Sequence, residues 1–99
     1  MQTMQIFTDA TGRIREASAA ACALLELPSP RTAVNRSLIL FFYENRECVV
    51  QLMIAAAGGP ATHFLGLIQS LTGCRKRVTV TVARTPQDEL LRWTLSIPE

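Results

Sequence analysis

Ninety-nine residues with 48% hydrophobic content describe one domain with one core, too apolar for a disordered segment. The formal net charge of +2 sets up no strong field toward a nucleic acid or a membrane surface. No apolar run approaches the ~20 residues of a membrane span, and Met1-Gln-Thr-Met-Gln5 has no basic region ahead of an apolar segment, which speaks against a secretory leader.

In chain order, residues 4–8 read as a strand. Asp9-Ala-Thr-Gly12 frames a type I turn, in which Asp9 bonds its own backbone and Gly12 takes a positive φ. Arg13 to Ala17 return as the second strand of a hairpin. Ser18 is the N-cap of a helix from Ala19 to Glu26, because its hydroxyl accepts an orphan backbone N–H. Pro28 and Pro30 stop that helix. Thr32 to Val34 read as one helical turn, Asn35 as a left-handed linking residue, and Ser37 to Phe42 as another helical turn.

A longer helix is expected from Glu44 to Ala57. Between Cys48 and Ala57 only Gln51 is polar, so the helix should be buried on more than one side or face a partner. Gly58-Gly59-Pro60 ends it, with glycine supplying the C-terminal turn. Three strands follow as a meander. Thr62 to Leu71 is the first and Thr72-Gly73 turns the chain. Arg77 to Thr85 alternates Val78, Val80 and Val82 against Thr79 and Thr81. Pro86-Gln-Asp88 is a turn, and Leu90 to Ile97 sets Leu91, Trp93, Leu95 and Ile97 against Arg92, Thr94 and Ser96. The fold class is α+β: a five-stranded antiparallel sheet in the order β-β-helices-β-β-β, with helices packed on one face.

The three cysteines, Cys22, Cys48 and Cys74, lack C-x-x-C spacing and read as reduced cytoplasmic thiols. Cys22 and Cys48 are expected as small core residues, and Cys74, after a turn glycine, as exposed. Arg75-Lys76-Arg77 has no aromatic neighbour and reads as a solvated turn rather than a nucleic-acid contact.

The element order, with Asp9-Ala-Thr-Gly12-Arg-Ile14, Ala17-Ser18-Ala19-Ala20-Ala21 and Leu24-Leu25, resembles a PAS domain over roughly residues 4–97. Val34-Asn35-Arg36-Ser37-Leu38 with Phe41-Phe42 is similar to that family's "sL…lF" segment, and Tyr43-Glu44-Asn45-Arg46 to its "pEDR" helix start. Leu71-Thr72-Gly73 sits at its "rkDG" hairpin, Val78-Thr-Val-Thr-Val82 at the next strand, and Leu90-Leu-Arg-Trp93 at its "l.gw.l" strand. Ser18 replaces the usual capping Asn. Glu26 and Asn35 replace glycines, and Thr72 replaces the turn aspartate. The closing Asp-Ile-Thr triplet is absent, since the chain ends Ser96-Ile-Pro-Glu99. That ending suggests a single domain over residues 1–99 taken from a larger signalling protein.

The resemblance implies a sensory or regulatory module of bacterial-type signal transduction, as a transcription regulator or histidine kinase input. It would act by ligand-modulated or constitutive dimerisation, relayed to an effector or partner protein outside this chain. Some PAS domains hold haem, flavin or metabolites. The light-sensing flavin motif Asn-Cys-Arg-Phe-Leu-Gln is absent here. His63, the only histidine, lies beyond the long helix that carries the haem ligand in relatives, and reads as a surface or edge residue. No cofactor and no metal are expected, and the remaining ligand class is a small apolar molecule.

Strand alternation directs Phe64, Ile68, Val78, Val80, Val82, Trp93 and Leu95 toward the helices, where Phe42, Met53 and Ile54 face them. The first reading of these residues is a solid core; the functional alternative is an apolar cavity for a small ligand, with Phe42, Met53, Ile54, Phe64, Ile68, Val80 and Trp93 as the candidate apolar pocket. Trp93 reads as a core residue with its edge exposed rather than a ligand-stacking one. On the opposite face, Leu65, Leu67, Thr79, Thr81 and Thr94, beside Leu71, form a candidate homodimer face, to be met by a second copy or a flanking helix. The alternatives are a ligand-free protein-interaction scaffold or a small enzyme on a cone-shaped α+β fold, but the enzyme's candidates Asp9, Glu16, His63 and Asp88 share no inward face. The expected location is cytoplasmic, with no nucleic-acid or membrane partner.

Overall fold

The first hairpin is built by its turn. Asp9 Oδ1 accepts the backbone N–H groups of Thr11 (2.9 Å) and Arg13 (3.0 Å) and the Thr11 hydroxyl (2.6 Å). Gly12 donates to the Asp9 carbonyl and takes φ +89°, a conformation open to glycine. The Thr11 hydroxyl, ahead of the backbone bonds and the nearby Arg15 guanidinium, holds the Asp9 carboxyl below its ordinary 3.8. The turn joins β1 (Thr3–Thr8) to β2 (Ile14–Ala17). The computed structural model describes residues 3–87 and 89–98, so the expected turn residue Asp88 lies outside the described residues.

Ser18 caps α1 (Ala19–Leu25) by accepting the Ala21 N–H at 3.2 Å. The helix stops at Glu26, two residues before Pro28, because Glu26 takes a left-handed conformation (φ 57°, ψ 40°). Glu26 stands where the resembling family carries glycine. Pro30 does not stop a helix but opens one, at the first position of α2 (Pro30–Ala33). Val34 falls outside that turn, and Asn35 is left-handed as expected, with φ 72°. A 3-10 turn, Leu38–Phe41, follows.

The long helix α3 runs from Arg46 to Gly58, with Asn45 left-handed at its N-cap. It buries one stripe, Val49, Met53 and Ala56, against the sheet. The expected burial on more than one side does not occur. Cys48 and Ile54 lie off that stripe and are exposed, so Cys48 is no core residue, whereas Cys22 is buried and Cys74 exposed. Burial pushes the Cys22 thiol up, away from the thiolate. Gly59 leaves the helix in ordinary extended backbone (φ −160°), not in a left-handed turn.

The meander comprises β3 (Thr62–Gln69), β4 (Arg75–Arg84) and β5 (Leu91–Ser96). The sheet is antiparallel with strand order β2-β1-β5-β4-β3, which puts the two termini of the fold on adjacent central strands and leaves β2 and β3 at the edges. Arg75, Lys76 and Arg77 form the first residues of β4 rather than a turn. The turn before them closes early: Ser70 and Cys74 pair through backbone, and the Ser70 hydroxyl accepts the Cys74 N–H at 3.0 Å.

One face of the sheet carries Met4, Ile6, Val78, Val80, Val82, Leu91, Trp93 and Leu95, all buried under the helical layer. That is period-2 alternation on three strands, β1, β4 and β5, with one common inward direction. Phe42 joins them from the helical side, its ring centroid 5.9 Å from Phe64 and 6.0 Å from Trp93 in tilted geometry. Such aromatic pairs add about 0.5–1.5 kcal/mol each beyond their buried area.

Candidate functional site

Of the residues that the alternation assigns to a solid core or an apolar pocket, most lie in the buried core. Phe42, Met53, Ile68, Val80 and Trp93 are buried against one another, and Phe64 is half-buried at the margin. Ile54 does not belong with them. It is 55% exposed, because it sits one residue round the helix from Met53, about 100° away from the buried stripe. Trp93 is fully buried rather than edge-exposed, and its Nε1–H donates to Thr8 Oγ1 at 2.8 Å. Among the described residues no buried side-chain polar atom lacks a partner, so no polar group waits in the core for a ligand.

The open space lies at the margin of that core. A groove of about 320 Å³ runs between the N-terminal half of α3 and the edge strand β3. Cys48, Val49 and Leu52 form one wall, and Phe64, Leu65 and Leu67 the other, with Glu44 and Arg77 at its rim. Gly66, between the wall residues of β3, has no side chain. A Cβ there would stand 2.8 Å from the Phe42 ring, so glycine lets that ring reach the strand. The groove joins a residue expected in the pocket, Phe64, to two expected on the outer face, Leu65 and Leu67. The wall from α3 was not foreseen, and Cys48 in it was hidden by the assumption that an apolar helical cysteine is buried.

The outer sheet face follows from strand register. Leu65 stands opposite Thr79, Thr79 opposite Ser96, His63 opposite Thr81, and Thr81 opposite Thr94. Leu65 is 75% exposed and Thr79 is exposed, whereas Leu67, Thr81 and Thr94 are half-covered. Leu71 does not join this face; it lies past the end of β3 in the turn, its N–H bonded to the Leu25 carbonyl. His63 is an exposed edge-strand residue, with Nδ1 3.0 Å from Thr81 Oγ1. Arg77, opposite Leu67, and Arg92, opposite Ala83 and Phe7, bring positive charge to the two ends of the face. Phe7 is a further outer-face residue. Its position between inward Ile6 and inward Thr8 was readable from strand alternation alone.

The acid–base candidates remain apart. Asp9 is in the first turn, Glu16 is exposed on β2, and Asp88 lies outside the described residues. Neither Asp9, Glu16 nor His63 lines the groove beside α3. Among the described residues no three His, Cys, Asp or Glu side chains group as metal ligands, and no helix is long and apolar enough to cross a membrane.

No family model and no curated protein matches the sequence. The fold, in contrast, matches solved structures throughout. The chain is similar to the PAS domain of an HTR-like protein from Haloarcula marismortui, at TM-score 0.73 and 24% identity, covering 94% of this chain and 77% of that one. A PAS domain from Colwellia psychrerythraea superposes at TM-score 0.84 and 11% identity, covering 97% and 86%. The PAS domain of the RpfR quorum-sensing receptor from Cronobacter turicensis, in complex with BDSF, superposes at 0.81 and 9% identity, covering 100% and 96%.

Proposed function

We propose that this chain, which has the PAS domain fold, is a sensory or regulatory module that pairs with a second copy through its outer sheet face. The observation that carries this reading is the exposed row of Leu65 and Thr79, flanked by His63, Thr81 and Thr94, on a sheet face that no other described element covers. An antiparallel sheet with one solvated face carries polar side chains there, as the threonines, Arg77 and Arg92 are. Leu65, an exposed leucine among them with half-covered Leu67 two residues on, suits contact with another surface.

The groove beside α3 supports ligand modulation over a purely constitutive scaffold. Leu65 and Leu67 belong to both the groove and the pairing face. A small apolar molecule seated against Phe64 would touch the residues that meet the second copy. It shifts the pairing equilibrium by the difference in its affinity for the two states. The receptor from Cronobacter turicensis, described with BDSF bound, is a precedent on the same fold for a bound small molecule. The effector acted on lies outside this chain. The enzyme alternative has less support, since His63 faces Thr81 on the outer sheet and not a carboxylate in a cleft.

Size-exclusion chromatography with light scattering tests the pairing on the wild type and a Leu65→Glu/Leu67→Glu double variant. A dimeric parent and a monomeric, folded variant are expected. An unchanged mass in the variant, or a monomeric parent, overturns the pairing face. Native mass spectrometry of the freshly purified protein then reads whether a small molecule accompanies it.

A further inference from the structure

A second groove, of about 390 Å³, lies on another side of the molecule, where the 3-10 turn meets the turn between β3 and β4. Its apolar surface comes from Leu40, Phe41, Tyr43 and Leu71, of which Leu40 is 66% and Leu71 50% exposed. Its charged members are Arg36 and Arg46. No Asp or Glu lines it.

Both arginines are held by backbone. Arg36 Nε donates to the Thr32 carbonyl at 2.8 Å. Arg46 Nε donates to the Phe42 carbonyl at 2.8 Å, and its Nη2 to the Leu40 carbonyl at 3.2 Å. Neutral carbonyls fix the guanidinium planes without cancelling their charge. Among the described residues neither arginine has an acidic partner, the ion pair found among them being Arg15 with Asp9. The Nη groups of Arg36 and Nη1 of Arg46 keep their donors free of any described protein acceptor. A third cation reinforces the site. The Arg75 guanidinium lies 3.7 Å over the Tyr43 ring and donates from Nε to the side chain of Gln69, another groove residue.

We infer that this groove is a docking site for an acidic, apolar segment of a partner protein, one that presents carboxylates to Arg36 and Arg46 and a leucine- or phenylalanine-type side chain to Leu40 and Leu71. Arginine held in a fixed plane suits bidentate carboxylate recognition. Carboxylates supply the counter-charge that the described chain lacks there, and an apolar anchor covers surface that is otherwise wet. The site is a groove rather than an enclosed cavity. A small molecule would leave much of its own surface in water, whereas a peptide segment continues past the groove and is held by its own chain. The inference deepens the proposed regulatory role by naming the chemistry of the partner, but it does not use the outer sheet face.

The test uses the whole chain and a pool of seven-residue peptides, each with two Glu and two Leu or Phe, read by fluorescence anisotropy. A matched pool with Gln for every Glu is the control. Binding of the acidic pool, weakened by added salt, with the Gln pool silent, is expected. Arg36→Gln should bind the acidic pool about tenfold more weakly, as should Arg46→Gln where circular dichroism shows it folded. Arg36→Lys, which keeps the charge and loses the fork, should fall between. Equal binding of the two pools, no binding of either, or unchanged affinity in Arg36→Gln would overturn the inference. So would capture of dodecanoate by the wild type but not by Arg36→Gln while both peptide pools stay silent, because the occupant would then be a small amphiphile. The Leu65→Glu/Leu67→Glu variant should keep its peptide affinity, and Arg36→Gln its parent's mass in solution, so that either reading can fail without the other.

Discussion

Trp93 and Thr8 are joined across the interior: the indole Nε1–H donates to Thr8 Oγ1 at 2.8 Å, and both side chains are fully buried. The bond ties β5 to β1 in the middle of the sheet. Thr8→Val keeps the shape and removes the acceptor, leaving a buried N–H without a partner. The expected cost is about 1–3 kcal/mol. Thr8→Ser keeps the acceptor and should lose only about 0.8 kcal/mol for the missing methyl group. Urea unfolding followed by the fluorescence of the single tryptophan reads both, and equal midpoints for the two variants would show that the bond adds nothing.

Gly66 and Phe42 form the second such relationship. The Phe42 ring is fully buried and braced by Phe64 and Trp93. Its backbone is fixed too, because Phe42 bridges to Ile68, and the Tyr43 N–H donates to the Leu67 carbonyl at 2.7 Å. With no room to retreat, the ring should make Gly66→Ala cost about 1–3 kcal/mol through overpacking. Phe42→Leu should cost less in the Gly66→Ala background than in the wild type, because it relieves the clash. Additive effects in chemical denaturation would show that the methyl group finds space elsewhere.

The legible parts of the fold were those with local chemistry. Asp9, Gly12 and Ser18 each declare a turn or a cap within a few residues, and Val78 to Val82 declare an inward face by alternation. What stayed hidden was set by distant segments. The composition of α3 suggests burial on more than one side or a partner, but what it buries is the stripe of Val49, Met53 and Ala56, with Val50 and Ala57 half-buried beside it. That left Ile54 outside the core and Cys48 in the groove. The groove of Arg36 and Arg46 joins two turns some thirty residues apart, which no periodicity records. Gly66 did carry a readable signal, since a glycine inside a strand often marks a close approach by another group.

Asn35 links α2 to the 3-10 turn with φ 72°, and its N–H donates to the Ile14 carbonyl at 2.8 Å. Ile14 in turn donates to the Arg36 carbonyl at 2.8 Å, so the link is clamped to β2 from both sides. A β-branched residue here would carry the left-handed penalty while the clamp held it in place. Asn35→Val should therefore destabilise by about 1–2 kcal/mol. Asn35→Gly should be neutral or gain up to about 1 kcal/mol, the lower steric cost being set against greater freedom in the unfolded chain. Thermal melts of the two variants should diverge in opposite directions, or at least by several degrees. Equal losses would locate the role of Asn35 in its side chain rather than its backbone.

Asp9 makes the stability of the first hairpin depend on pH. Its carboxyl is held below 3.8 in the folded chain, first by the Thr11 hydroxyl and then by backbone N–H groups and Arg15. A carboxylate lowered by folding contributes stability that is fully present above the unfolded value. That contribution declines as the pH falls through it, and is gone below the lowered folded value. Asp9→Asn keeps an acceptor oxygen at the same place but has no charge to lose. The wild type should therefore be the more stable of the two at about pH 6, and the difference should shrink toward zero below about pH 3. The ion pair with Arg15, at 3.6 Å between exposed or partly exposed groups, adds little to this. Arg15→Gln should accordingly leave the pH profile nearly unchanged, whereas Thr11→Ala, which removes the largest cause of the shift, should flatten it. Denaturation midpoints at several pH values distinguish the two. A profile flattened by Arg15→Gln and untouched by Thr11→Ala would mean that long-range charge, not the turn's own hydrogen bonds, holds the carboxylate.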